Sequence, residues 1–388
     1  MKILHLMIAC FYIEGWEYQE NILPRFHKKM GLDVNIVSTR FTKNEKNEAV
    51  VRDAEKYMNS DGIEVQILDY HRPNFIQKLL NFKPISGLPK TLIEIRPDIV
   101  FIHGIQFPNI FDVIKYKKEN PSVKIFCDQH GDYYNMPVNT MTEKIYQKII
   151  FRYFASRIAK HSEKIWGVTP WRVDYLREVY KINKNKIGLL VMGGDDSKID
   201  FSKQTIIRVK RRLQLNIQEE DFVLISGGKL DKSKNILSLM KAVTAINSKS
   251  IKLVIFGSIN NDINSKFNQI LKSNPNIHFI NWITADVAYE WFLSADLAIF
   301  PGTHSVLWEQ AIACGLPTVF KKWEGMTHVD IGGNCEFLLN GSSTEIQEVI
   351  KKIALDKNKY SKMKHISMAK GTQEFSYSKI AKKSILWK

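Results

Sequence analysis

The chain is short of the residues that would tie it to metal or redox chemistry. Its 388 residues include four cysteines, Cys10, Cys127, Cys314 and Cys335, all far apart. No Cys-x-x-Cys pair occurs, so neither a zinc knuckle nor a disulfide scaffold is indicated, and a reducing compartment fits. No run approaches the roughly 18 apolar residues that cross a bilayer. The apolar stretch Ile3–Ile13 makes a poor secretion signal. One lysine precedes it, His5 interrupts it, and Glu14-Gly15-Trp16-Glu17 follows where small cleavage-site residues belong. It reads as a buried first strand, which makes the expected location cytoplasmic and any membrane contact peripheral. Gly-x-Gly-x-x-Gly, Gly-x4-Gly-Lys-[Ser/Thr], His-Glu-x-x-His, Gly-x-Ser-x-Gly and Asp-x-Asp are all missing as well. Their absence argues against dinucleotide, P-loop, zincin and serine-hydrolase readings, and against a metal–diphosphate bridge.

Negative charge is also scarce. Lysine and arginine total 56 against 40 acids, a net +16. Such an excess attracts anions: nucleic acid, an acidic membrane face or phosphorylated ligands. The basic residues are scattered through both halves without a nucleic-acid-binding signature, so no nucleic-acid partner is expected.

What the chain does have is rhythm. Short β-rich apolar runs alternate with longer segments of helical spacing. Strands are expected at Lys2–Ala9, Asp33–Ser38, Gly62–Leu68, Ile99–His103, Lys124–Asp128, Lys164–Val168 and Gly188–Met192. The pattern restarts at Phe222–Gly227, Lys252–Gly257, Ile277–Asn281, Leu297–Phe300 and Thr318–Phe320. Helices are expected between them, as at Tyr18–Met30, Trp171–Val179, Ile236–Ala245 and Glu345–Ala354. Alternation of this kind predicts parallel sheets covered by helices on both faces, an α/β fold. The turn-rich Met192–Ser197 divides the pattern into two Rossmann-like domains, expected to face each other across a cleft. Ligands bind such sheets at the carboxyl ends of strands.

Five features stand at those ends or carry charge. Ser226–Asn235 holds Gly228, Lys229 and Lys234 in what reads as a glycine loop opening a helix, suited to phosphate. A solvated lysine loop reads equally well. Phe300–Ala311 runs through a glycine turn into an apolar helix carrying Glu309, whose carboxylate needs a hydrogen-bonding partner such as backbone amides or a ribose diol. His103 and His130, the latter flanked by Asp128 and Asp132, each follow a strand and are either structural or facing the cleft. Gly15 and Trp16 follow the first strand and either meet a ligand or simply turn the chain. Lys144, Lys148 and Arg152 line a stripe of Ile145, Ile149, Tyr153 and Phe154, which is either a docking face for an anionic leaflet or a core helix with a solvated edge.

In this order the motifs resemble the GT-B glycosyltransferases, specifically the large retaining family 4 that uses nucleotide-sugar donors. Arg96–Val100 before His103 and Trp166–Thr169 through Gly193-Gly194-Asp195 resemble that family's N-terminal half and linker. Gly228-Lys229-Leu230 with Lys234 is similar to its Gly-Arg-Leu-x3-Lys diphosphate motif. Glu309–Pro317 is similar to the helix bearing the second glutamate of Glu-x7-Glu. The segment from Phe375 resembles the closing helix that crosses back. The resemblance implies a donor domain at 193–373 and an acceptor domain at 1–192 with a returning segment 374–388. It implies that Lys229 and Lys234 hold the donor diphosphate, Glu309 the ribose, and that His130 lies near the transferred sugar with Gly15 near the phosphates. Two departures stand out. Pro301 occupies the place of the first glutamate, eight residues before Glu309, and the turn Gly302-Thr303-His304-Ser305 replaces the usual glycine-rich one. Thr303, His304 and Ser305 therefore become candidates for holding the sugar, and Glu324 and His328 for completing the site.

The activity so implied is transfer from a nucleoside-diphosphate sugar to a saccharide hydroxyl, with retention and with no metal or other cofactor. An undecaprenyl-linked precursor of a surface polysaccharide is the expected acceptor. The competing expectations are a nucleotide-sugar 2-epimerase and a non-catalytic polyanion- or membrane-binding protein.

Overall fold

In the computed structural model, which describes residues 1–10, 12–43, 48–72 and 82–386, all twelve expected strands are present, with ends shifted by a few residues. The chain separates into two compact units, Met1–Val191 with Ala381–Lys388, and Met192–Ile380. The return to the first unit thus starts at Ala381 rather than 374. Trp387 and Lys388 of the expected returning segment lie outside the described residues.

The first unit is built on eight strands in the order Ile187–Leu189, Lys164–Gly167, Lys124–Gln129, Ile99–His103, Lys2–Met7, Asp33–Thr39, Glu64–Leu68 and Lys56–Met58. All neighbours are parallel except the last pair, where Lys56–Met58 adds an antiparallel edge. Covered on both faces, the central strands are apolar throughout: Ile99, Val100, Phe101 and Ile102 are all buried. Chain order reverses between Lys2–Met7 and Ile99–His103, which are paired from Ile3↔Ile99 to Leu6↔Ile102. This is the switch point of the sheet, where connections diverge and leave a crevice. Residues 8–10 and His103-Gly104 both leave from it. Arg96 and Gly104 adopt positive φ where the chain enters and leaves the Ile99–His103 strand.

The second unit has six parallel strands ordered Ile277–Phe279, Ile251–Ile259, Phe222–Leu230, Leu297–Phe300, Thr318–Lys321 and Cys335–Leu338. Counted from Phe222–Leu230 this is the 3-2-1-4-5-6 order of a doubly wound nucleotide-binding sheet. Its switch point lies between Phe222–Leu230 and Leu297–Phe300, joined by Leu224↔Leu297 and Ile225↔Ala298. The two loops leaving it are those carrying Lys234 and Pro301–Ser305.

One expectation needs correction here. Gly228 and Lys229 are not in a loop that opens a helix, since the strand runs on to Leu230, paired with Ile259. A Cβ on Gly257 would stand 1.8 Å from the Gly228 carbonyl oxygen, so the glycine pair lets two strands close where side chains would splay them. The turn follows later. Asp231 caps Lys232–Lys234 by accepting from the amides of Ser233 and Lys234, Asn235 takes a left-handed φ, and the helix begins at Ile236.

Candidate functional site

In the second unit, the Pro301–Ser305 turn is drawn onto the Lys232–Asn235 turn by backbone contact. Thr303 N donates to Ser233 O at 3.0 Å, and a Cβ on Gly302 would come within 2.2 Å of that same oxygen. Only glycine permits the approach. Lys234 Nζ then donates to the carbonyls of Thr303 at 2.9 Å and His304 at 3.1 Å, and Asn235 Nδ2 reaches Gly341 O at 2.8 Å. Burial lowers the Lys234 ammonium from its ordinary value, with Asp231 partly opposing. Two of its three N–H groups are committed to the turn, leaving one for a ligand. Lys229 is exposed at the end of its strand.

Glu309 sits in the helix Leu307–Ala313 and is fully buried, as the apolar sequence around it requires. No backbone amide satisfies it. His304 Nε2 and His328 Nε2 both reach its Oε1, at 2.8 and 2.9 Å, while its Oε2 is buried without a partner. Burial pushes this carboxyl up, and the charges and hydrogen bonds of the two imidazoles more than offset that, holding it at about 2. Trp308 stacks on Phe320 at 4.3 Å and meets the His304 ring edge-on at 5.1 Å, which fixes that ring. His328 is placed by its own loop. Asp330 Oδ1 accepts from the Gly332 and Gly333 amides, and buried Asn334 ties Ile331 N and Val329 O. His328 Nδ1 is a second buried atom without a partner.

The remaining candidates divide. Thr303 Oγ1 lies 3.2 Å from Ser233 Oγ, and Ser305 O accepts from Trp308 N at 3.0 Å, so both shape the turn. Glu324 is exposed and is not part of the Glu309 cluster. Its neighbour Trp323, not among the expected site residues, is tied in by Nε1 donating to Gly302 O at 3.1 Å. His304, Glu309 and His328 form the one group among the described residues with ligand atoms close enough for a cation. At 2.8 and 2.9 Å on one oxygen, their contacts are complete as N–H···O hydrogen bonds.

In the first unit, His103 Nδ1 lies 2.9 Å from Asp128 Oδ2, and Gln19 Nε2 donates to the same oxygen at 3.0 Å. All three side chains are buried. Partly exposed His130 stands 3.6 Å from Asp128 Oδ2 and 3.9 Å from Glu20 Oε1. Burial pushes Asp128 up, but His103 and His130 outweigh it and hold the carboxyl well below the usual range. Burial lowers His130, and Glu20 and Asp128 reverse that, leaving it raised. Asp128 Oδ1, Gln19 Oε1 and His130 Nε2 are left without a hydrogen-bond partner. Gly15 turns the preceding loop at φ +81, and Trp16 packs edge-on against Tyr18 at 5.0 Å. Neither is among the residues that contact Asp128.

Gln19, His5 and His27 were not among the expected site residues. Gln19 and His27 are eight apart, two turns along one helical face, and His5 interrupts a buried apolar strand. A polar residue in such a position is itself the signal.

Two units with nucleotide-binding strand order, each carrying polar side chains at its switch point, define the GT-B fold. Solved structures agree over the whole chain. A glycosyltransferase from Rickettsia africae matches with TM-score 0.71 and 14% identity, covering 99% of this chain and 97% of that one. Anabaena HepE in complex with UDP matches with TM-score 0.69 and 16% identity, covering 99% and 98%. The UDP-GlcNAc 2-epimerase of Neisseria meningitidis matches with TM-score 0.61 and 15% identity, covering all of both chains. No curated protein sequence matches. Residues 208–368 match the family described as "Glycosyl transferases group 1". The fold read from the sequence is therefore the one these structures share, and the match to the group 1 glycosyltransferases spans residues 208–368 of the second unit.

Proposed function

We propose that the protein moves a sugar from a nucleoside-diphosphate donor to a hydroxyl of a lipid-linked saccharide, with retention and without a metal, in surface-polysaccharide assembly. The observation that carries the donor half is Glu309. A fully buried, ionised carboxylate has one oxygen fixed by two imidazoles and the other without a partner, beside the turn that Lys234 closes. A ribose hydroxyl is the donor such an oxygen lacks. HepE, whose fold is shared, was crystallised with UDP, in keeping with this reading.

Departure of the nucleoside diphosphate leaves charge on its terminal phosphate, and stabilising that charge is the main catalytic task. The remaining N–H of Lys234 and the exposed ammonium of Lys229 supply it, so no divalent ion is required. In the first unit, Asp128 Oδ1 and His130 offer an acceptor and a charged donor to sugar hydroxyls. His304 and the turn amides stand where the first glutamate is missing.

The membrane half rests on the segment Met141–Ala159. Thr140 and Glu143 form a capping box that starts it, and it continues through a π-helical turn at Tyr146–Phe151 into Arg152–Ala159. Phe154 is buried, whereas Ile145, Ile149 and Tyr153 are exposed, so most of the stripe faces solvent beside Lys144 and Lys148. An apolar stripe with basic flanks suits an anionic leaflet and lipid-linked acceptors.

The deciving measurement for the donor is calorimetry and thermal shift with UDP, GDP, dTDP, CDP and their sugars, on the wild type and Glu309→Ala. One nucleotide should stabilise the wild type and lose its effect in the variant. No response to any of them removes the reading. The epimerase shares the fold, but its chemistry needs carboxylates around the sugar, and Pro301 removes one. Epimerised product formed without acceptor would favour it.

A further inference from the structure

Three imidazoles lie in series inside the first unit. Asp128 Oδ2 is 2.9 Å from His103 Nδ1, His103 Nε2 is 2.9 Å from His5 Nδ1, and His5 Nε2 is 2.9 Å from His27 Nδ1. The far end, His27 Nε2, lies 3.1 Å from Ala381 O and 3.0 Å from Ser384 Oγ in the C-terminal helix. All three histidines and Asp128 are fully buried. The rings stack with centroids 5.2 and 5.1 Å apart, and Phe101 packs against them. Asp128 is the charged group touching the series. Gln19, His130 and Glu20 lie around that carboxylate, and the Cys10 thiol is close enough to feel it.

The protons do not add up for three neutral rings. Each of the three nitrogen contacts and the contact with Ala381 O needs one hydrogen, and both ends of the series, a carboxylate and a carbonyl, are acceptors. Four contacts need four protons, whereas three neutral imidazoles carry three. The series closes in two ways. In the neutral state every ring is the Nδ1–H tautomer pointing toward Asp128, and the bare His27 Nε2 accepts the Ser384 hydroxyl. The Ala381 carbonyl then faces a lone pair, and Ser384 gives up its own 2.8 Å bond to Ala381 O. With a fourth proton, His27 donates Nε2–H to Ala381 O, Ser384 turns back to that carbonyl, and Asp128 balances the charge.

We propose that His103, His5 and His27 form a proton-binding site that takes up one proton, shared along the series, with Asp128 as its counter-ion and the Ser384 hydroxyl as the group that rotates. The atoms balance: one proton enters from solvent, no covalent bond between heavy atoms changes, and one hydroxyl turns. Burial lowers His5, and lowers His27 to about 4, so uptake is centred below the ordinary histidine range and the neutral state holds at pH 7. Because Asp128 Oδ1 is open, a ligand that donates to it or places charge beside His130 shifts the proton affinity of the series. Proton uptake then shifts that ligand's affinity by the same factor. None of this depends on the transferase reading.

The test is nitrogen-15 NMR of the full chain labelled at histidine, in which ring couplings report the tautomer, followed from pH 8 downward. The expected result is three Nδ1–H tautomers at pH 8 and a total uptake of one proton, with a common midpoint seen on all three rings. Ser384→Ala removes the donor that closes the neutral state and keeps the Ser384 backbone carbonyl that Trp166 Nε1 uses at 2.8 Å, so the fold is retained. Both states lose the hydroxyl's hydrogen bond, but only the neutral state is left with a buried acceptor, His27 Nε2, that has no donor, so the proton affinity should rise about tenfold, about one pKa unit. An Nε2–H tautomer at pH 8, three separate midpoints, or an unchanged midpoint in Ser384→Ala overturns the proposal.

Discussion

Glu309→Gln is the substitution that most directly probes the second unit. Glutamine keeps the length of the side chain and one carbonyl oxygen for the two imidazoles, but puts an amide NH2 where Oε2 stands unpartnered. Two effects follow. Glu309 is held at about 2 against an ordinary 4.5, so the folded state favours the anion. Its contribution is full above pH 4.5 and is lost as pH falls toward 2; two and a half pKa units correspond to about 3 kcal/mol at neutral pH, which the glutamine variant forgoes. The second effect is on ligand. A hydroxyl bonded to a buried charge is worth about 1.5–3 kcal/mol, so the nucleotide that binds the wild type should bind the variant roughly 10- to 150-fold more weakly. Calorimetry at pH 7.5 reads the affinity, and hydrogen exchange over Leu307–Ala313 reads the local stability. An affinity within twofold of wild type would refute the claim that Oε2 receives the ribose.

Lys234→Met should leave the fold intact, since the backbone bond Thr303 N to Ser233 O remains, while donor turnover in a coupled assay falls at least tenfold. His27, depressed from 6.5 to about 4, contributes stability that is full above pH 6.5 and lost as pH drops toward 4. In urea titrations the loss of stability across that window should be about 3 kcal/mol smaller in His27→Gln than in the wild type. Reversing Lys144, Lys148 and Arg152 to glutamate should abolish co-sedimentation with anionic vesicles, since each basic residue near the surface is worth about 1 kcal/mol; unchanged partition would remove the membrane contact. Chelation with EDTA should leave both donor affinity and turnover unchanged, and a proportional loss restored by zinc would make His304, Glu309 and His328 a metal site.

Strand positions were legible because a parallel sheet buried on both faces writes itself as apolar runs, and Ile99–His103 and Leu297–Phe300 were read to the residue. Two of the four edge strands were not. Lys56–Met58 is half solvent-facing and polar, and Cys335–Leu338 follows a loop shaped by Asp330 and Asn334 rather than by any apolar run. Glu309 was legible from the cost of a carboxylate among apolar residues, but its partners were not determined by that argument. His304 is five residues away and His328 nineteen, and only the folded loop brings the second one in. The Gly228-Lys229 placement failed for a related reason. Glycines after an apolar run read as a loop, yet here they serve a close approach between two strands, which depends on Gly257 far along the chain.

The two units meet the same physical problem with the same device. Asp128 and Glu309 are both fully buried anions, and each has one oxygen fixed by imidazole while the other is left without a partner. Committing one oxygen sets the charge and the direction of the carboxylate. Leaving the other bare is a standing penalty of about 1–3 kcal/mol per group in the empty protein. The stability gained on ionisation is counted against the protonated acid; against a well-packed apolar side chain the open oxygen is a net cost. The penalty is relieved when a hydroxyl arrives, so ligand binding at either carboxylate should stabilise the unit that holds it. Substituting the open carboxylate by an apolar side chain together with its imidazole partners should raise stability while removing the ligand response. For Glu309 that variant is Glu309→Leu with His304→Leu and His328→Leu. A triple variant that melts no higher than Glu309→Leu alone would show that the histidines are there to support the helix rather than the charge.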